Sequence, residues 1–184
     1  KKKANSLELT EEEKVLVKKI GISLKSGKGP GKTTFLSWTI IWFMVCFPAN
    51  EKSNMQSKHP GTKVLCTATK RDQLKDVLWA EVNKWIGNSK TNGKYGDFVD
   101  KMLIVHAESI KVRDASTDTP WYAVARSANV KSGDTAETMQ GMHANNLMVI
   151  ADEATGIPDN VFEPLDTTLT EDFNFMIMTY NPTR

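Results

Sequence analysis

Ser26-Gly27-Lys28-Gly29-Pro30-Gly31-Lys32-Thr33 lies between a short apolar run, Ile20 to Leu24, and a long one that opens at Lys32 and reaches Phe47 before Pro48. A strand, a glycine-rich turn and a helix in that order are the setting that a phosphate-binding loop requires. Small residues let successive backbone N–H groups turn inward as an anion nest. The free N–H groups and positive dipole end of the next helix point to the same place. Lys32 can reach the outer phosphates of a nucleotide, and Thr33 can set its hydroxyl on Mg²⁺. The candidate nucleotide-binding stretch is therefore Ser26, Gly27, Lys28, Gly29, Pro30, Gly31, Lys32, Thr33 and Thr34. One position departs from the G-x-x-x-x-G-K-[ST] pattern: serine stands at 26, and Gly27 is expected to supply the backbone freedom. A dinucleotide fingerprint fits worse, because it would need glycine at 32. For the loop alone, a glycine-rich surface turn with a chance lysine stays open.

Outward from the loop, segments of helical spacing alternate with short apolar runs. Thr10-Glu11-Glu12-Glu13 reads as a capping box opening a helix, so 1–19 is expected to be an N-terminal helical segment and 20–184 one core. Lys63 to Thr67 reads as a strand, and Asp72 to Ile86 as a helix with Leu74, Val77, Leu78, Val82, Trp85 and Ile86 at its apolar positions. Met102 to His106, Trp121 to Ala125, Leu147 to Ile150 and Phe175 to Met178 read as further strands, with Ile110 to Val112 as a hairpin arm and Asn160 to Leu169 as a helix. The polar stretches 50–61, 87–97 and, in part, 127–141 read as loops. Strands alternating with helices imply an α/β fold with a mainly parallel sheet covered by helices on both faces.

Composition narrows the classes. The chain has 184 residues, 40% hydrophobic and 25% charged, enough for one α/β domain with a sizeable core. A net charge of +2 does not by itself argue for nucleic acid. The apolar run Phe35 to Phe47 is too short to span a bilayer, which needs about 20 residues, so a buried core helix is expected. The N-terminus has no signal-peptide character, and the protein is expected to be intracellular, with no membrane partner. Cys46 and Cys66 are expected to be buried free thiols, not half of a zinc site.

The second chemical block is Leu147-Met148-Val149-Ile150-Ala151-Asp152-Glu153, an apolar strand ending in paired carboxylates about 120 residues after the phosphate loop. In open parallel sheets, ligands sit at the carboxyl ends of the strands. Asp152 can hold a Mg²⁺ shell beside Thr33, and Glu153 can orient and deprotonate a water aimed at the outer phosphate. The alternative is an acidic pair that caps the next turn. Asn181, after the last strand, could sense the outer phosphate or simply belong to an Asn-Pro turn. Thr69-Lys70-Arg71 could contact DNA or be a solvated helix start.

With these blocks in place, the chain resembles the large terminase subunit of tailed phages, specifically its ATPase domain. The specific stretches are Met139-Gln140-Gly141-Met142-His143-Ala144, then Asn146 through Asp159 with its Asp-Glu-Ala-Thr-Gly-Ile-Pro run, Val161-Phe162-Glu163-Pro164, and Thr179-Tyr180-Asn181-Pro182-Thr183-Arg184. Met142 stands where the family often has an aromatic residue, and Tyr180 where it has glycine. The resemblance implies a P-loop ATPase that uses ATP and Mg²⁺ to drive double-stranded DNA into a procapsid. It implies a ring of identical subunits, a portal protein and a small terminase subunit as partners, and the host cytoplasm as location. It gives Lys32 and Thr33 to phosphate and Mg²⁺, Asp152 to the metal, Glu153 to catalysis as the base and Asn181 to a coupling motif. Lys28 falls where related motors carry a basic residue. Arg126 is the candidate for an arginine donated to a neighbouring subunit's site, a solvated surface arginine being the alternative. The family's nuclease region and the last strands and lid of its ATPase are not expected within these residues. A helicase-like ATPase and a nucleotide-binding remnant without hydrolysis are the competing readings.

Overall fold

The computed structural model describes residues 19–27, 29, 31–91, 96–128, 141–171 and 173–182. The expected helix within 1–19 lies outside them, apart from Lys19, which opens the first strand. The elements are β1 Lys19–Lys25, α1 Lys32–Cys46, α2 Lys52–Met55, β2 Thr62–Ala68, a π-helical segment Gln73–Trp79 running into α3 Ala80–Thr91, α4 Gly96–Met102, β3 Leu103–Val105, β4 Ser109–Val112, β5 Trp121–Ser127, β6 Asn146–Ala151, a 3₁₀ turn Ala154–Gly156, α5 Asp159–Thr168 and β7 Phe173–Tyr180.

The seven strands form one sheet in the order β1-β7-β6-β2-β5-β4-β3. The first five positions in that order are parallel to one another, and β4 and β3 are added antiparallel as a hairpin. β6 is buried at every position. Its alternate residues feed two cores. Met148 and Ile150 pack with Leu36, Ile40, Phe43 and Met44 of α1, while Leu147, Val149 and Ala151 pack with Val161 and Leu165 of α5. A strand with helices on both faces needs apolar residues at consecutive positions, which is why this run shows no alternation. The fold is therefore α/β, with a mainly parallel sheet between two helical layers, as the sequence implied.

Several expectations need correction. α1 is not buried all round. Leu36, Ser37, Ile40, Phe43 and Met44 form its covered stripe, whereas Phe35, Trp38 and Trp42 on the other side are exposed, Trp38 by 51% among the described residues. Cys46 falls off that stripe and is exposed, while Cys66 is buried on β2; its burial pushes the thiol pKa up. The stretch 87–97 is not a plain loop, because α3 continues to Thr91 and α4 begins at Gly96. Extending an anchored helix costs far less than starting one, so polar residues follow Ile86 into the helix. The short helix α2 likewise interrupts the polar stretch 50–61. There Asn54 is buried and clasps Gly61, with its amide donating to the Gly61 carbonyl (3.2 Å) and its oxygen accepting from the Gly61 N–H (2.6 Å). Gly61 has a φ of 132°, and a Cβ there would stand 2.7 Å from the Pro120 carbonyl oxygen, so only glycine fits. Of the stretch 127–141, only 127–128 and 141 lie within the described residues.

Candidate active site

Because β1, β7, β6 and β2 are parallel neighbours, the chemistry-bearing segments that follow them emerge at one edge. Lys25 pairs with Tyr180, Ala151 with Met178, and Thr67 with Ala151. The phosphate loop, Asn181, Asp152-Glu153 and the Thr69 to Gln73 turn therefore lie side by side. They surround a cavity of about 640 Å³ lined by Gly29, Gly31, Lys32, Thr33, Thr34, Gln73, Val77, Glu81, Asp152, Glu153 and Asn181. This volume is within the usual range for a ligand site.

The loop takes its shape from two left-handed glycines, Gly29 (φ 89°) and Gly31 (φ 86°). Gly31 caps α1, and the Phe35 N–H donates to its carbonyl (2.9 Å) as the first helical bond. The conformational freedom expected of Gly27 is thus carried by Gly29 and Gly31 instead. The serine at 26 has a use that glycine could not serve, because its hydroxyl accepts from the Lys32 ammonium (3.2 Å). The same ammonium donates to the Ser26 carbonyl, the Gly27 carbonyl and the Asn181 side-chain oxygen, each at 2.8 Å. All four acceptors are neutral, so among the described residues the lysine charge is hydrogen-bonded but not paired with a carboxylate, and bonds from it to phosphate oxygens would be stronger than these. Lys28 and Pro30 lie outside the described residues.

Asp152 and Glu153 diverge. Asp152 is 4% exposed. Its Oδ1 accepts from the Thr179 hydroxyl (2.5 Å) and the Glu153 N–H (3.1 Å), and its Oδ2 accepts from the Gln73 amide (3.2 Å). Burying a carboxylate costs several kcal/mol, and three donors at about 1.5–3 kcal/mol each can offset that cost. Glu153 is exposed at the cavity and has left-handed backbone, φ 51° and ψ 46°. It is the only non-glycine with positive φ among the described residues. Such a conformation costs about 1–3 kcal/mol and clusters at functional sites.

Thr33 lines the cavity as expected. Thr34 does too, but its hydroxyl donates to Glu81 Oε1 (2.9 Å). Glu81 also accepts from the Trp85 indole (2.8 Å) and from Lys84 (3.3 Å). Arg126, next to the last residue of β5, is exposed and does not line this cavity. Arg71 pairs with Glu108, and Lys70 is exposed beside it. Gln73 and Glu81 did not stand out in the sequence, and Thr179 did so only as part of the motif around Asn181, with no role given to its hydroxyl. Gln73 and Glu81 share a cavity-facing wall with Val77, four residues from each, a spacing that was visible but served only to find the apolar stripe.

No protein-family model matches the chain. Over 162 residues it is 27% identical to the "Probable terminase, large subunit" of Enterobacteria phage P7, a match covering 88% of this chain and 29% of that protein. The chain thus spans under a third of that relative's length. Its fold is similar to a large terminase from a thermophilic bacteriophage (TM-score 0.61, 14% identity, 88% of this chain and 34% of the other). It is also similar to a mutant of the Thermus phage P74-26 large terminase ATPase domain (TM-score 0.54, 19% identity, 88% and 59%).

The Glu81 contacts give a pH prediction. The Thr34 hydroxyl, then the Trp85 indole and Lys84, hold the Glu81 carboxyl below its usual value near 4.5. A lowered folded-state pKa contributes stability that is present above the unfolded value and is lost as pH falls through the folded one. In urea titrations, the advantage of the wild type over Glu81→Gln should hold from neutral pH downward and shrink only below that usual carboxylate value. An advantage that grows on acidification would contradict the assignment. In sequence the chain is similar to a probable phage terminase large subunit, and in fold to large terminases of two further phages.

Proposed function

We propose that the chain is the ATP-hydrolysing motor region of a DNA-packaging terminase. The observation that carries this reading is the convergence of Lys32, Thr33, Asp152, Glu153 and Asn181 on one cavity. The donor set fits Mg·ATP: an ammonium at a glycine loop, paired with no carboxylate among the described residues, for phosphate, and a hydroxyl with a tethered carboxylate for the metal. In this reading Lys32 leaves its carbonyl partners for phosphate oxygens, at little cost because one set of charge-assisted bonds replaces another. Asn181, now held by that ammonium, is released at the same moment. A change at the phosphate would thereby pass to the end of β7 and the segment after it. Thr33 and Asp152 hold Mg²⁺, which when bound neutralises phosphate charge. Glu153, exposed at the cavity, accepts the proton of the attacking water.

The relatives are named as terminases, and the resemblance to that family makes double-stranded DNA the proposed cargo, with a portal protein, a small terminase subunit and further copies of the chain in a ring as proposed partners, all in the host cytoplasm. Among the described residues no helix is long and apolar enough to cross a membrane. Arg126 is proposed to act on the neighbouring subunit, which agrees with its exposure outside its own cavity.

Glu153→Gln should lower steady-state ATP hydrolysis about 10²–10⁴-fold and leave Mg·ATP binding unchanged. Lost binding with hydrolysis retained would contradict the role. Arg126→Ala should also lower hydrolysis. If the arginine acts in trans, mixing it with Glu153→Gln should restore part of the activity, because the intact Arg126 of one variant meets the intact Glu153 of the other. Mixtures no more active than either variant alone would remove Arg126 from the site.

A further inference from the structure

Gln73, Val77 and Glu81 form one wall of the cavity. The wall starts in the π-helical segment Gln73–Trp79, a rare conformation that is found often at functional sites. Leu74, Leu78 and Trp79 on its other side are at most 1% exposed and hold it against the core. Gln73 is thus a polar side chain on a firmly packed backbone, and its amide reaches Asp152.

The hydrogen bonds of Asp152 are unevenly shared. Oδ1 receives two donors, from Thr179 and the Glu153 N–H, and a carboxylate oxygen has two lone pairs, so Oδ1 is fully used. Among the described residues, Oδ2 receives only Gln73. It keeps one lone pair, and the Gln73 amide sets the direction in which that lone pair points.

We propose that Gln73 is a positioning residue for metal binding, orienting the one oxygen of Asp152 that can still take Mg²⁺ or its water. The proposal rests on the reading of Asp152 as the metal-holding carboxylate. Groups that orient a ligand by hydrogen bonding typically change metal affinity about 10–100-fold when they are removed. The opposite sign is also possible in principle: were Gln73 a competitor that blocks Oδ2, its removal would tighten metal binding. The free lone pair favours orientation over blocking.

The test is a Mn²⁺ titration followed by electron paramagnetic resonance on the whole chain, with a saturating non-hydrolysable ATP analogue, for wild type, Gln73→Met, Asp152→Asn and Lys75→Ala, an exposed residue of the same segment that does not line the cavity. Nucleotide affinity without metal is measured in parallel. Gln73→Met keeps side-chain length but lacks the donor; Gln73→Leu replaces it should the first variant not fold, as judged by circular dichroism. The expected result is Mn²⁺ affinity about 10-fold or more weaker in Gln73→Met, with metal-free nucleotide affinity within about 2-fold of wild type and Lys75→Ala unchanged in both. Unchanged or tighter Mn²⁺ binding in Gln73→Met, or equal losses of metal and nucleotide affinity, would overturn the proposal. If Asp152→Asn also binds Mn²⁺ like wild type, or wild type binds none, the metal-site reading itself falls. A weakened Asp152→Asn beside a normal Gln73→Met removes only the role of Gln73.

Discussion

The parallel pairing of β1, β7, β6 and β2 is the constraint on which the rest depends. Once these strands run side by side in one direction, the segments after them must emerge at the same edge. The burial of β6 on both faces fixes its place in the middle, because no edge position could cover all six of its residues. β7 then separates the phosphate-loop strand from the acidic strand. This places Asn181 within reach of Lys32, and Thr179 within reach of Asp152. Thr179 near the end of β7 and Asn181 just after it, two positions apart, thus touch the anionic and the cationic halves of the same cavity.

Polar contacts then tune what the sheet has brought together. Lys32 is shared among the loop's own carbonyls and Asn181, so the loop, the lysine and the end of β7 change partners together. Glu81 holds Thr34, and Gln73 holds Asp152. One continuous helical segment, from Gln73 through α3, therefore touches both the phosphate-loop helix and the acidic strand end. Just before it stand the exposed Lys70 and the Arg71–Glu108 pair. The proposed motor has here a physical link between its nucleotide site and a basic surface at the end of β2.

Much of the fold was legible because its signals are local. The glycine loop between two apolar runs marked β1 and α1, and the unbroken apolar run before Asp152 marked a strand covered on both faces. The helix α5 was also read, within one residue of each of its bounds. The loop's glycine chemistry was read less well: Gly27 was given a freedom that Gly29 and Gly31 carry, because which glycine turns left-handed depends on where the helix starts. The exposed side of α1 was missed since Phe35, Trp38 and Trp42 read as core in any composition-based scan, and Cys46 was misjudged with them. The roles of Gln73, Glu81 and Thr179 became visible only with the strand order, which sets partners that are 27 to 79 residues apart in sequence. The left-handed backbone of Glu153 has no sequence signal at all, since glutamate rarely adopts it.

The central claim is that the loop around Lys32 binds nucleotide phosphate. A calorimetric titration of Mg·ATP into this chain, beside Lys32→Ala, tests it most directly. The account predicts binding to the wild type that is lost or greatly weakened in the variant, since among the described residues of the loop Lys32 is the one that brings a positive charge to the cavity. Binding of equal strength to a folded Lys32→Ala variant would contradict it.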